Sequence, residues 1–178
     1  MRHVILGFLL MGPATLYDLH KQFQGGVSQF YSASLGGLRA ALSRLVDDGH
    51  AVVEERVENG RLKRIHSITD SGRQEFLVWM LRPIEAANPE VTMLAKVYFL
   101  GLLTPDQRVT VVRDLRDRVD TELAGLRELS TSLADLELPE QWAQIAHFQI
   151  RTLDYGILAH EAAIRWIDSL LAEVEAQS

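Results

Sequence analysis

No cysteine occurs among the 178 residues, which removes disulfides and thiolate-held metals and suits a reducing compartment. Nor is there a run of about 18 apolar residues, so no membrane-spanning helix is expected. The opening MRHVILGFLLM has the apolar character of a secretion signal. Its charged leader is minimal, however, no small-residue cleavage site follows, and Gly12-Pro13 leads straight into amphipathic sequence. A cytoplasmic protein without a membrane partner is expected. Signatures of catalysis are missing too: G-x-x-x-x-G-K-[ST], G-x-G-x-x-G and G-x-S-x-G do not occur. Histidines 3, 20, 50, 66, 147 and 160 are scattered, and the H-E-x-x start at His160-Glu161 meets Ile164 where a zinc site needs histidine. The sequence predicts no metal, no cofactor and no enzyme.

What is present is an ordinary globular composition, 47% hydrophobic and 24% charged. Charge is divided unevenly. Residues 1–82 hold 10 Lys and Arg against 8 Asp and Glu, whereas residues 83–178 hold 8 against 16. A mildly basic half joined to an acidic one points to a polyanion-facing domain, 1–82, on a scaffold, 83–178, that does not face the polyanion.

The first half reads as helix, helix, helix, hairpin, helix. HVILGFLLM is a short apolar helix. Thr15 is a candidate N-cap for LYDLHKQFQ, which Gly25-Gly26 should end. Ser34 can cap a third helix, LGGLRAALSRLVDD, in which Leu35, Leu38, Leu42 and Leu45 form one stripe and Gly49 supplies the stop. AVVEERV and RLKRIHSIT flank Asn59-Gly60, a strong hairpin signal, and Thr69 or Asp70 starts the next helix. Three short helices and a hairpin bearing Arg56, Arg61, Lys63 and Arg64 form a winged helix-turn-helix, whose third helix enters the major groove of duplex DNA. The competing reading leaves the cations as a solubility device on an exposed hairpin.

Three segments, VILGFLLMGPATLYDL, FYSASLGGLRAALSRLVDDGHAV and GRLKRIHSITDSGR, resemble the DNA-binding domain of the PadR family of bacterial transcriptional regulators. The later WMLRPIEAANPEVTMLAKVYFLGLL and IRWIDSLLAEVEA look like the helical C-terminal region of its AphA-type virulence activators. The resemblance implies a dimeric repressor, released by a small hydrophobic or aromatic effector. It departs from the family at Gly37, Leu38, Arg39 and Ala40, where relatives often carry Ser-Leu-Tyr-Pro, and at Leu16, where glycine is common. Candidate DNA contacts are Tyr17, Tyr31, Ser32, Ser34, Gly37, Arg39, Arg44, Arg61, Lys63 and Arg64. Arg39 lies off the leucine stripe. Arg44 has a competing i+4 partner in Asp48, Tyr17 a competing place in the core, and Ser34 a competing role as cap alone. His66, sharing strand parity with Ile68, reads as structural.

In the second half, Thr104-Pro105-Asp106-Gln107 reads as N-cap, N1 and capping box. From there to about residue 137 a long helix repeats Val112, Val119, Leu126 and Leu133 every seven residues. Pro139 opens a final helix with one apolar side of Trp142, Ile145, Leu153, Ile157, Ile164, Ile167 and Leu171, and a second of Phe148, Tyr155, Trp166 and Leu170. Two apolar sides need two partners, the preceding helix and a second copy of the chain; the first set is the expected homodimer interface, with an intramolecular bundle completed by a helix over 90–103 as the competing reading. Trp79, Trp142 and Trp166 are the candidate effector pocket, with plain core packing as the competing reading. The overall expectation is a mainly α protein: an N-terminal winged helix-turn-helix and a C-terminal long-helix dimerisation region. A helical ligand-sensing or adaptor protein, whose winged domain binds protein, is the alternative.

Overall fold

The structure is a computed structural model that describes residues 1–58, 60–85, 88–134 and 139–177. It falls into two compact units, Met1–Thr104 and Pro105–Ser178. Residues 83–104, which the sequence places with the acidic half, fall in the first unit by their contacts.

In the first unit, α1 (Arg2–Met11) is followed by a short strand β1 (Ala14–Thr15) and by α2 (Leu16–Gln22). Thr15 caps α2 as expected, and Asp18 completes a reciprocal box: its amide donates to Thr15 Oγ1 at 3.2 Å, and its carboxylate accepts from the Thr15 amide at 3.0 Å. Gly25-Gly26 does not end this segment, which continues as a π turn over Phe23–Val27. The wider turn brings both Phe23 and Val27 into the core, and the Tyr98 ring occupies the space a Cβ on Gly26 would need. Helix α3 (Leu35–Asp47) ends at Gly49, whose φ of 75° favours glycine. Strands β2 (Ala51–Glu58) and β3 (Arg61–Ile68) pair antiparallel with Ala51 opposite Ile68 and Glu58 opposite Arg61. Gly60, at φ 74°, fits the expected turn; Asn59 lies outside the described residues. The sheet has three strands rather than two, in the order β1-β3-β2, because Ala14 and Thr15 pair with His66 and Ile65. A two-residue strand leaves no periodic signal to read.

Thr69 caps α4 (Asp70–Leu81), accepting from the Gly72 amide at 3.1 Å while its own hydroxyl donates to the Gly49 carbonyl at 2.7 Å. α5 (Pro89–Tyr98) and a 3-10 turn (Leu100–Leu102) complete the unit. α1 is its centre: Val4, Ile5, Leu6, Phe8 and Leu9 are all buried, with Leu19, Phe23, Leu38, Leu42, Leu45, Phe76 and Phe99. Phe8 stands edge-on to Phe99 at 5.4 Å and tilted against Phe23 at 5.3 Å. Lys96 of α5 is only 3% exposed. Its ammonium donates to the Met80 carbonyl at 3.2 Å and to the Arg82 carbonyl, the end of α4 where unpaired carbonyls gather.

The second unit is α6 (Pro105–Ala134) and α7 (Glu140–Glu175); the predicted extension of α6 to residue 137 lies outside the described residues. Ion pairs Arg113–Glu175 at 2.6 Å, Arg116–Asp168 at 2.8 Å and Arg127–Glu161 at 2.8 Å run up one helix as they run down the other, fixing an antiparallel hairpin. The heptad faces inward: Val112 and Val119 are buried, with Leu126 and Leu133 half-buried, and Val111, Leu115 and Leu123 join them.

Candidate nucleic-acid interface

Ser34, extended, accepts from the Gly37 amide at 3.1 Å and starts α3 on a fixed phase. With Leu38, Leu42 and Leu45 locked in the core, Gly36, Arg39, Ala40, Ser43, Arg44 and Asp47 are turned outward. Leu35 follows the stripe in phase but stands exposed, because the first turn of α3 projects past the core. Asp48 is engaged by Arg2 at 2.7 Å, so the expected i+4 partner of Arg44 is held by α1 instead. Tyr17 is 72% exposed at the start of α2, which excludes the core reading of its ring. Ser32 is exposed, whereas Tyr31 is half-buried with its ring edge-on to Phe23 at 6.0 Å, and burial pushes its hydroxyl pKa up.

The hairpin is less basic than its cations alone suggest. Strand register alternates its side chains between two faces. Glu54, Arg56, Arg61, Lys63 and Ile65 occupy one face; Val53, Glu55, Val57, Leu62, Arg64 and His66 occupy the other. Arg64 pairs with Glu55 at 3.1 Å and Arg56 with Glu54 at 2.8 Å, both in the open. Exposed pairs of this kind contribute about 0–1 kcal/mol, so a phosphate can take either guanidinium at little loss. The second face continues into a cleft whose far wall is α3: Arg39, Leu42, Ser43, Val46 and Asp47 on one side, Val53, Arg64 and His66 on the other. His66 therefore borders the groove between helix and hairpin. Burial lowers its pKa, against a hydrogen bond to the Ala14 backbone that raises it.

The candidate dimer residues separate into two groups. Leu153 is buried and Ile167 is 0% exposed within the single chain, so neither has surface to offer a second copy; both belong to the core of the second unit. Ile157, Ile164 and Leu171 are half-buried. Trp142 and Ile145 are exposed, as are Phe148, Tyr155, Leu158 and Trp166. The ion-pair register accounts for Trp142, Ile145 and Phe148: the described α6, up to Ala134, reaches α7 near residue 150, short of those first turns.

The three tryptophans do not make one pocket. Trp142 and Trp166 stand on the same helix, 24 positions apart, which is about 36 Å of rise. Trp79 stacks on His3 with ring centres 4.9 Å apart. It borders a cavity of about 310 Å³ lined also by Val4, Tyr31, Arg82, Val91 and Lys96, all in the first unit. Sequence reasoning missed His3 and Lys96, for neither sits in a motif. Among the described residues no cluster of His, Asp and Glu could hold a metal, and no helix is long and apolar enough to cross a membrane.

Residues 92–175 match the family described as virulence activator alpha C-term. The chain is 25% identical to the negative transcriptional regulator PadR of Bacillus subtilis, over 98% of this chain and 97% of that one. A probable transcriptional regulator of Mycobacterium tuberculosis is 25% identical over 94% of each chain. Among solved structures, Bacillus subtilis PadR in complex with operator DNA aligns with TM-score 0.45 and 24% identity, covering 97% of this chain and 98% of that one. The Vibrio cholerae virulence activator AphA aligns with TM-score 0.41 and 23% identity, covering 99% of each.

Proposed function

We propose that this chain is a transcriptional regulator of the PadR type, a dimeric, sequence-specific DNA-binding repressor acting in the cytoplasm. It works by occupying DNA rather than by catalysis. The observation that carries the reading is the cleft between α3 and the hairpin. A capped helix turns Arg39, Ser43 and Arg44 outward, and a hairpin with Arg61, Lys63 and Arg64 stands beside it. Ser32, the Ser34–Gly37 turn and the exposed Tyr17 hydroxyl serve phosphates; Arg39 serves a base edge or a phosphate.

A second copy supplies the other half-site, and the partner surface is the uncovered part of α7, with Trp142, Ile145, Phe148 and Tyr155. Leu153 and Ile167 are withdrawn from that role. The effector is a small hydrophobic or aromatic molecule, and its site is the cavity beside Trp79 rather than a tryptophan trio. Tyr31 borders this cavity and lies immediately before Ser32 and Ser34, so a ligand there would shift the approach to α3.

The test is titration of the DNA upstream of the chain's own gene against scrambled duplex at several salt concentrations. A binder with 6–10 phosphate contacts loses about 10³–10⁵ in affinity between roughly 50 and 200 mM salt. An adaptor whose winged domain binds protein shows no such affinity. Absence of any duplex binding at low salt overturns the reading.

A further inference from the structure

One register pair short of its end, the hairpin carries an apolar pair for which phosphate contact has no use. Val57 and Leu62 face each other across the strands and are 72% and 63% exposed. A tip that served only to remain soluble or to meet phosphate would carry polar side chains here, as its other face does at Arg56, Arg61 and Lys63. Register places the pair on the face that also bears the Glu55–Arg64 ion pair, Val53 and His66, and that face forms one wall of the cleft opposite Arg39 and Ser43 of α3. The apolar tip is thus continuous with the surface proposed to hold DNA, one or two residue pairs further out along the same strands.

Duplex geometry says what lies there. With α3 in a major groove, the hairpin meets the flanking backbone and the minor groove beyond it. The floor of that groove distinguishes mainly A·T from G·C, because guanine alone presents its 2-amino group there. An apolar side chain against A·T covers a floor without donors. Against G·C it covers the amino donor and gives it no partner, an unmade hydrogen bond that disfavours the contact. Apolar side chains entering the minor groove are an established way of engaging DNA.

We infer that Val57 and Leu62 enter the minor groove flanking each half-site and make this protein select A·T pairs there. The inference rests on the DNA-binding reading above and adds a specificity determinant to it. Inosine tests it, because an I·C pair keeps the major-groove face of G·C while lacking the 2-amino group. The probe is a duplex selected by the full-length protein from a random pool. Its flanking positions are then rebuilt as A·T, G·C or I·C and titrated against wild type, V57S/L62S and K63A/R64A. Wild type should bind the A·T and I·C duplexes alike and the G·C duplex on the order of tenfold more weakly, the scale of one mismatched base pair. V57S/L62S should weaken on the A·T duplex and lose the distinction among the three. K63A/R64A should weaken on all three while keeping it.

Equal wild-type binding to all three duplexes, or discrimination retained in V57S/L62S, overturns the inference and leaves DNA binding standing. A change of sedimentation coefficient in V57S/L62S without a change in flank preference overturns it in favour of a protein contact. Failure to recover any duplex overturns the DNA-binding reading itself.

Discussion

The two units differ in how completely each buries its own apolar side chains. The first closes around α1, with Phe8, Phe23, Phe76 and Phe99 within 2% of full burial. The second is a hairpin of two helices, and its longer member shows Trp142, Ile145, Phe148, Tyr155 and Leu158 to solvent. Two helices enclose only the stripe between them, so an α7 with apolar residues on two sides is left with one side unmatched. Charge separates the units in the same sense. Residues 105–178 carry 7 Lys and Arg against 14 Asp and Glu, while residues 1–104 carry 11 against 10. The lesson is a division of labour: the first unit closes its own core behind α3 and the hairpin proposed to meet DNA, and the acidic second unit leaves an apolar side uncovered, the surface proposed to receive a second copy.

The comparison breaks most visibly in the two cores. Phe8→Ala should cost about 3–5 kcal/mol, seen as a lower denaturant midpoint and lost DNA binding at every protein concentration. Ile167→Asp places an unpaired charge in the second unit and should cost about 3–5 kcal/mol, melting α6 and α7 by circular dichroism while the first unit keeps its near-ultraviolet signal. Next in size, Ile145→Asp with Phe148→Asp should leave helicity intact but yield monomers in sedimentation, and abolish the concentration dependence of Tm that dimers show. Dimers that persist in this variant place the interface elsewhere. Lys96→Met leaves the Met80 and Arg82 carbonyls without their donor and should cost roughly 1–3 kcal/mol.

The smallest effect sharpens the contrast by pH. His3 and His66, both in the first unit, have pKa values lowered chiefly by burial. As pH falls below the ordinary value near 6.5, the unfolded chain takes up these protons first, so folding stability declines. Below the depressed folded values the decline ends. Tm measured from pH 8 down to pH 5 should therefore drop, and replacing both histidines with glutamine should flatten that drop.

Most elements were legible because their signals are local. Thr15, Ser34 and Thr69 cap helices through contacts three residues on, and Gly49 and Gly60 sit at positive φ where the sequence placed a stop and a turn. Signals broke down where distant packing decides. Gly25-Gly26 reads as a terminator, yet Phe23 and Val27 both reach the core by way of a π turn. Ile167 and Ile145 look equivalent along α7. Only the register with α6, set by pairs such as Arg116–Asp168, buries the first and exposes the second. The hairpin cations stand out in the sequence, but which glutamates pair with them, and that Val57 faces Leu62, follow only from the fold and its register.

Lys96 also sets an order of events in time. Its ammonium sits in the interior against the C-terminal carbonyls of α4 and beside the ring of Trp79, also on α4. α4 can form with those carbonyls still hydrated, whereas α5 cannot dock before α4 exists without desolvating a bare charge. α5 should therefore be the later of the two to assemble during folding and the earlier to detach. In native-state hydrogen exchange its amides should open below the global unfolding free energy, ahead of those of α4.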